Sequence, residues 1–304
     1  MNILNVEGIG LNPVLQKNVF RKNSKAYDSA VLAMEPYFTD TKNIDTLLVR
    51  SARRENLLWR QKYGDLVCDL DKDIYNRCME KVKPLLKKYE KDLELSPKEG
   101  VGTIIMGLPG SGKTTALEYL ASLGLVEKDY IETAFKPNAD EIKRKLPNYD
   151  VSKGTSEIVH NESVKFLEKI VKDGMKQKVN VIIEMSGGYF DYIKRTIKRM
   201  QANGYRKINI VYIDIQPETS MKRIAARFEK TGRFLDPKVV YDLARVRDKK
   251  SATRDYTMHP ADNFTYLRTL GEDGKLDFSS AKSTKLNFFW VDNNGKQPCV
   301  VNAN

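Results

Sequence analysis

Cysteine, histidine and tryptophan are scarce in this chain, with three, two and two copies among 304 residues. Cys68, Cys78 and Cys299 are odd in number and are not spaced as metal ligands, which fits a reducing compartment. No run of ~18 apolar residues occurs, so no transmembrane helix is expected. The stretch Met1-Asn2-Ile3-Leu4-Asn5-Val6-Glu7 lacks the basic start and apolar block of a signal peptide. The expectation is a cytoplasmic protein, or one delivered into a target cell's cytoplasm, with no membrane partner. Internal repeats and low-complexity tracts are also missing. The length suffices for one large domain or two modest ones.

Charge, in contrast, is plentiful. Fifty-two lysines and arginines outnumber 40 acidic residues, for a formal net charge of +12. Such a balance favours a polyanionic partner, either nucleic acid or a small phosphorylated ligand. The basic residues are scattered among acidic ones, as on solvated helix faces, and mark out no basic, aromatic-lined groove. Nucleic acid is therefore not the favoured partner.

The stretch that organises the chain is residues 101–115. An apolar, β-branched run (Val101, Thr103, Ile104, Ile105, Met106) stops at three glycines followed by Lys113 and Thr114. The order is strand, phosphate loop, helix. The loop comprises Gly107, Leu108, Pro109, Gly110, Ser111, Gly112, Lys113, Thr114 and Thr115, and fits the G-x-x-x-x-G-K-[ST] pattern. Glycines let successive backbone N–H groups turn inward and cradle phosphates. The helix that follows adds the positive end of its dipole. Lys113 is placed to reach the terminal phosphates, and the Thr114 hydroxyl to ligate Mg²⁺. ATP and Mg²⁺ are the expected cofactors.

Around this motif the periodicity alternates. Residues 1–99 hold no convincing strand. Apolar steps of three and four describe helices over roughly 24–37 and 47–59, and from Cys68 to Tyr89. Ser96–Gly100 forms a joint. Past the loop, strands are predicted at 130–135, 179–184, 208–213 and 286–291. Helices are predicted at 116–123, 140–146, 157–172, 189–201, 217–229 and 237–246. Residues 249–285 read as polar and turn-rich, and His259-Pro260 carries no readable chemistry. The fold class expected is α/β, a P-loop kinase-like three-layer fold with a mostly parallel sheet. A helical N-terminal region (residues 1–99), with regulation as one role for it, would precede a kinase domain over residues 100–304.

Ligands of such a sheet collect beyond the carboxyl ends of its strands, so residues just past each strand are the candidates. Asp140 follows the second predicted strand and could accept a proton from an attacking hydroxyl. It could equally be a helix N-cap, a role that suits Asn138 as well. Glu184 ends a buried apolar strand and precedes Met185-Ser186-Gly187-Gly188, where a charge has use if it meets Mg²⁺ or ligand. Glu168 lies on the 157–172 helix and would face the same region if that helix packs beside the 179–184 strand. Arg227-Phe228-Glu229-Lys230-Thr231-Gly232-Arg233 looks like a lid that closes guanidiniums over phosphate.

Taken together, residues 101–248 resemble the zeta toxin family of kinases. The likeness rests on Gly107–Thr114, on Asn138-Ala139-Asp140-Glu141-Ile142-Lys143 with Pro147 and Tyr149, and on Val159-His160-Asn161-Glu162-Ser163. It rests also on Asn180–Glu184 with Ser186 and Gly187, and on the interval from Glu168 to Glu184. What the resemblance implies is transfer of the ATP γ-phosphate to the 3′-hydroxyl of UDP-N-acetylglucosamine by a growth-inhibiting toxin. By position, Asp140 would be the base, and Glu168, Glu184 and Ser186 would bind the sugar nucleotide. Arg227 and Arg233 would contact ATP phosphates. The family also implies a helical antitoxin, and residues 24–93 could play that inhibitory part in cis or simply complete the core. The chain departs from the family in the hundred residues ahead of the loop and in Met185-Ser186-Gly187-Gly188. Kinases of dinucleotides, of other small molecules or of polynucleotide 5′-hydroxyls stay open, as does a non-catalytic nucleotide-binding switch.

Overall fold

The computed structural model describes residues 72–146, 160–231, 235, 240, 243–244, 259–276, 284–295 and 298–303. The helices expected over 24–37 and 47–59, most of that over 237–246, and Pro147, Tyr149, Val159 and Arg233 lie outside the described residues.

A five-stranded sheet carries the fold, in the order β2-β1-β3-β4-β5. Its strands are β1 (Val101–Gly107), β2 (Val181–Met185), β3 (Lys207–Asp214), β4 (Lys285–Asp292) and β5 (Cys299–Ala303). The first four are mutually parallel, and β5 closes the edge antiparallel to β4. Strand β1 is buried along its whole length, as an unbroken apolar run in the middle of a parallel sheet should be. Parallel pairing brings the carboxyl ends at Gly107, Met185, Asp214 and Asp292 to one edge.

The described helices are α1 (Lys72–Leu95), α2 (Lys113–Ser122), α3 (Lys128–Thr133) and α4 (Ala139–Lys143), then α5 (His160–Lys176), α6 (Phe190–Ala202), α7 (Pro217–Thr231) and α8 (Pro260–Glu272). They sort onto two faces. On one, Val82, Leu85 and Tyr89 of α1 join Phe166 and Ile170 of α5, Ile193 of α6 and Phe264 of α8 over Ile104, Ile183 and Ile210. On the other, Ala116 and Leu120 of α2 and Tyr130 of α3 cover Ile105, Ile182, Val211 and Ile213. The three-layer, mostly parallel α/β architecture expected from the sequence is the one observed.

Two segments differ from expectation. Tyr130–Phe135 is not a strand: Lys128–Thr133 is helix α3, and Phe135 alone bridges β2 at Val181. Burial explains this, because Tyr130 and Ile131, then Ala134 and Phe135, are buried in pairs four apart, a helical period. The helix also aims the Tyr130 hydroxyl at Thr103 Oγ1 (2.7 Å) and the Val181 carbonyl (2.9 Å). Residues 260–272 are helical rather than turn-rich. His259 caps α8 by accepting the Ala261 N–H on Nδ1 (3.2 Å), and Pro260 takes the first helical turn, where a missing N–H costs nothing. Ala261, Phe264 and Leu267 form its buried stripe.

A row of polar side chains crosses the α2–α3 face. Asn209 Nδ2 donates to Thr103 Oγ1 (3.2 Å), and Asn287 Nδ2 donates to Asn209 Oδ1 (2.8 Å). Thr103, Asn209 and Asn287 occupy one register position on β1, β3 and β4. Inside an apolar layer these groups are stable only as a satisfied set. Asn209→Ala strands its partners, and the expected loss is roughly 1–3 kcal/mol of unfolding free energy, read by urea denaturation with Asn209→Asp as a second variant.

Candidate active site

The phosphate loop leaves β1 at Gly107 and enters α2 through Gly112, which caps the helix in the left-handed region at φ 79° and ψ 43°. A Cβ there would stand 2.7 Å from Asn293 Nδ2, so both backbone sign and space demand glycine. The same holds for Gly110, at φ 78° with the Ser220 carbonyl 3.0 Å from a Cβ position.

The loop is held by its carbonyl oxygens. Ser220 Oγ donates to Pro109 O (2.5 Å), Arg223 Nη1 to Gly110 O (3.5 Å), and Asn293 Nδ2 to Ser111 O (2.7 Å). Asn293 is anchored in turn, by its N–H to Asp214 O (2.9 Å) and by Arg223 Nη2 on its own carbonyl (3.1 Å). In a trans peptide the following N–H points away from the carbonyl, so tying Pro109 and Ser111 aims the Gly110 and Gly112 amides the opposite way. That is the cradle a phosphate needs. Lys113 Nζ donates to Leu108 O (3.3 Å), and Thr114 and Thr115 are exposed residues in the first turn of α2. The buried Ser111 Oγ finds no partner among the described residues.

Sequence reasoning misses Asn293 and Ser220 and gives Arg223 no part of its own. Arg223 is a brace of the loop. The only local signal is the Asp292-Asn293-Asn294-Gly295 turn, whose geometry is set by Asp292 Oδ1 accepting Asn294 N–H (2.9 Å) and by Gln216 N–H donating to Asn294 Oδ1 (2.6 Å). Its function becomes legible only when the turn is seen beside the loop.

On the acceptor side, the chain leaves Phe135 parallel to β2 and so reaches α4 on the carboxyl-edge side of the sheet. Asn138 is the N-cap, its Oδ1 accepting the Asp140 N–H at 2.8 Å. The cap role therefore belongs to Asn138. Asp140 pairs with Lys143 Nζ at 3.8 Å, and Lys143 is only 5% exposed.

Glu184 is exposed near the end of β2, on the same face as Ile182 and therefore on the α2 side of the sheet. Glu168 belongs to α5, which packs on the opposite face, so the two carboxylates lie on opposite sides of the sheet. Glu168 pairs with Lys172 (3.9 Å) and lies near Tyr192 of α6, whose phenol is pushed up by burial first and by this carboxylate second. Ser186 Oγ accepts the Gly188 N–H at 3.5 Å, and the loop that holds it is clamped by Asn263 Nδ2 on Gly187 O (2.7 Å). Arg227 is half-buried on α7, one turn beyond Arg223. The side chains of His160 and Glu162 are outside the described set.

No cluster of three or more His, Cys, Asp or Glu suited to a metal occurs among the described residues. A divalent ion here would lean on the Thr114 hydroxyl and on nucleotide oxygens, which is how Mg²⁺ is usually held. The left-handed glycines, the aimed amides and Lys113 fit a nucleoside triphosphate. No described helix is long and apolar enough to cross a membrane.

A model of the zeta toxin family matches residues 87–257, more than half of the chain. Among solved structures, the chain is similar to one from the PezAT chromosomal toxin–antitoxin system of Streptococcus pneumoniae, at 18% identity and TM-score 0.50, over 74% of this chain and 80% of that one. It is similar also to the AvrRxo1-ORF1:AvrRxo1-ORF2 crystal structure with sulphate ions, at 14% identity and TM-score 0.52, over 75% and 67% of the two chains.

The bracing makes a specific prediction. Asn293→Ala frees Ser111 O and should weaken ATP binding by about tenfold, the value of one good hydrogen bond, in isothermal titration calorimetry. Unaltered affinity would mean that the loop holds its shape unaided.

Proposed function

Because the chain belongs to the zeta toxin family of kinase-like phosphotransferases, we propose that it transfers the γ-phosphate of ATP to a hydroxyl of a nucleotide sugar. The 3′-hydroxyl of UDP-N-acetylglucosamine is the acceptor of first choice. The observation that carries the proposal is the place of α4: Asn138 does the capping, and the Asp140 carboxylate, paired with Lys143, stands on the carboxyl-edge side of the sheet, where ligands of such a sheet collect.

The loop amides and the α2 dipole bind the β- and γ-phosphates. Lys113, with Arg227 of α7 and Arg233 further along the chain, offsets charge on the transferred group. Asp140 takes the proton of the acceptor hydroxyl as its oxygen bonds to the γ-phosphorus and the bond to the β,γ-bridging oxygen breaks, releasing ADP. Glu168, Glu184 and Ser186 orient the acceptor, and the Thr114 hydroxyl would help hold a Mg²⁺ ion, which would supply charge stabilisation. Consumption of a sugar nucleotide in this way would make the protein a growth-inhibiting toxin in the cytoplasm. A partner antitoxin is part of the proposal, supplied in trans or in cis by residues ahead of α1. Family membership and the toxin–antitoxin system named for a fold neighbour support that part.

The test is incubation with ATP and Mg²⁺ against sugar nucleotides, dinucleotides and oligonucleotides, read by mass. One added phosphate on UDP-N-acetylglucosamine is expected. Phosphate on a dinucleotide or an oligonucleotide instead would replace the acceptor, and no transfer despite ATP binding would favour a switch. Asp140→Asn should lower the transfer rate by roughly 10²–10⁴-fold while leaving ATP affinity intact.

A further inference from the structure

Helix α4 is five residues long, far too short to be stable by itself, so its position depends on what it touches. It packs mainly on α5, and side chains of α1 add hydrogen bonds to its cap and first turn. The Tyr89 hydroxyl lies 3.0 Å from Glu141 Oε2 and 3.2 Å from the Asn138 carbonyl, and it accepts the Asn138 N–H at 3.3 Å. Its single proton is divided between the two acceptors, and its lone pair takes the amide. One phenol oxygen thus contacts the cap residue on both of its backbone groups and the first turn of α4 through Glu141. Lys88 Nζ adds a second tie to the same Glu141 oxygen at 3.3 Å.

Tyr89 is itself well held. It is 2% exposed, it sits in the main core cluster, and its ring meets Phe135 edge-on with centroids 5.7 Å apart. Phe135 is hydrogen-bonded to β2 on both sides, its N–H to Asn180 O (2.7 Å) and its carbonyl to the Ile182 N–H (2.9 Å). A rigid path therefore runs from the sheet through Phe135 and Tyr89 to the cap of the helix that carries Asp140. Burial, with the nearby Glu141 charge adding to it, pushes the phenol's ionisation well above its ordinary value. The group stays a proton donor wherever the protein is folded.

We infer that Tyr89 of α1 is a positioning residue for Asp140, acting through Asn138 and Glu141, and that α1 is a working part of the catalytic unit. This inference rests on Asp140 being the base, as proposed above. It also changes what the N-terminal region can be. A truncation through residue 95 would remove Tyr89 along with Val82, Leu85 and Leu93 from the core, so it would report on the fold rather than on release of an inhibitor.

The variant to make is Tyr89→Phe, which keeps the ring against Phe135 and deletes only the hydroxyl. Hydrogen–deuterium exchange needs no acceptor: amides of residues 139–143 should exchange about fivefold to tenfold faster, and those of 101–115 at the parent rate. With ATP, Mg²⁺ and UDP-N-acetylglucosamine, kcat should fall by about ten- to a hundredfold with KM for ATP unchanged. In an Asp140→Asn background, Tyr89→Phe should cost nothing further, a coupling that a general loss of stability would not produce. Unchanged exchange at 139–143, or an equal loss in both backgrounds, overturns the positioning role. Full turnover by Asp140→Asn alone overturns the base assignment, and the positioning role with it.

Discussion

The structure depends on a backbone held in an unfavourable shape from outside. Gly110 and Gly112 are left-handed, and the carbonyls of residues 109–111 are each claimed by a side chain from another element. Two of those side chains come from α7 and one from the turn after β4, so the loop is as firm as the packing of both against the sheet. The parallel register that aligns Asp214 with Asp292 is what brings Asn293 to the loop. Sheet topology and phosphate chemistry are thereby the same problem. A register shift at β4 would move the Asn293 amide off Ser111 and release the cradle.

Much of this was legible in the sequence, for reasons that differ by element. The strand–loop–helix at 101–115 is local chemistry, since the glycines, Lys113 and Thr114 act within a few residues of one another. The β-branched runs of β2 and β3 announce buried parallel strands, and the aromatic run of β4 announces one more strand. Tyr130–Phe135 misleads because its composition favours strand while its burial follows a helical period. Helix α8 hides because its cap is a histidine and its first turn holds Asp262 and Asn263, residues that suit turns. Asn293, Ser220, Arg223, Asn263 and Tyr89 could not be found, because each acts on a segment between 49 and 182 positions away. An asparagine in a turn has no local mark that it holds a phosphate loop.

The acceptor side is built on different terms from the donor side. The donor loop is braced by neutral hydrogen bonds and by Arg223, whereas the acceptor side presents carboxylates on separate elements. Glu184 and Glu168 stand on opposite sides of the sheet, and Asp140 rides on a single helical turn that packs on α5 and is hydrogen-bonded from α1. Under the proposed reaction, the acceptor site would take its geometry from α1, α4, α5 and the end of β2. The clamp of Asn263 on Gly187 would add a fifth control, through α8.

The central claim is that the γ-phosphate goes to an organic hydroxyl rather than to water. The direct measurement is the fate of label from γ-³²P-ATP in the presence of UDP-N-acetylglucosamine, with ADP counted in the same sample. The account predicts label in an acid-stable phosphomonoester, equal in amount to the ADP formed. Label recovered only as inorganic phosphate, or ATP left intact while bound, would contradict it.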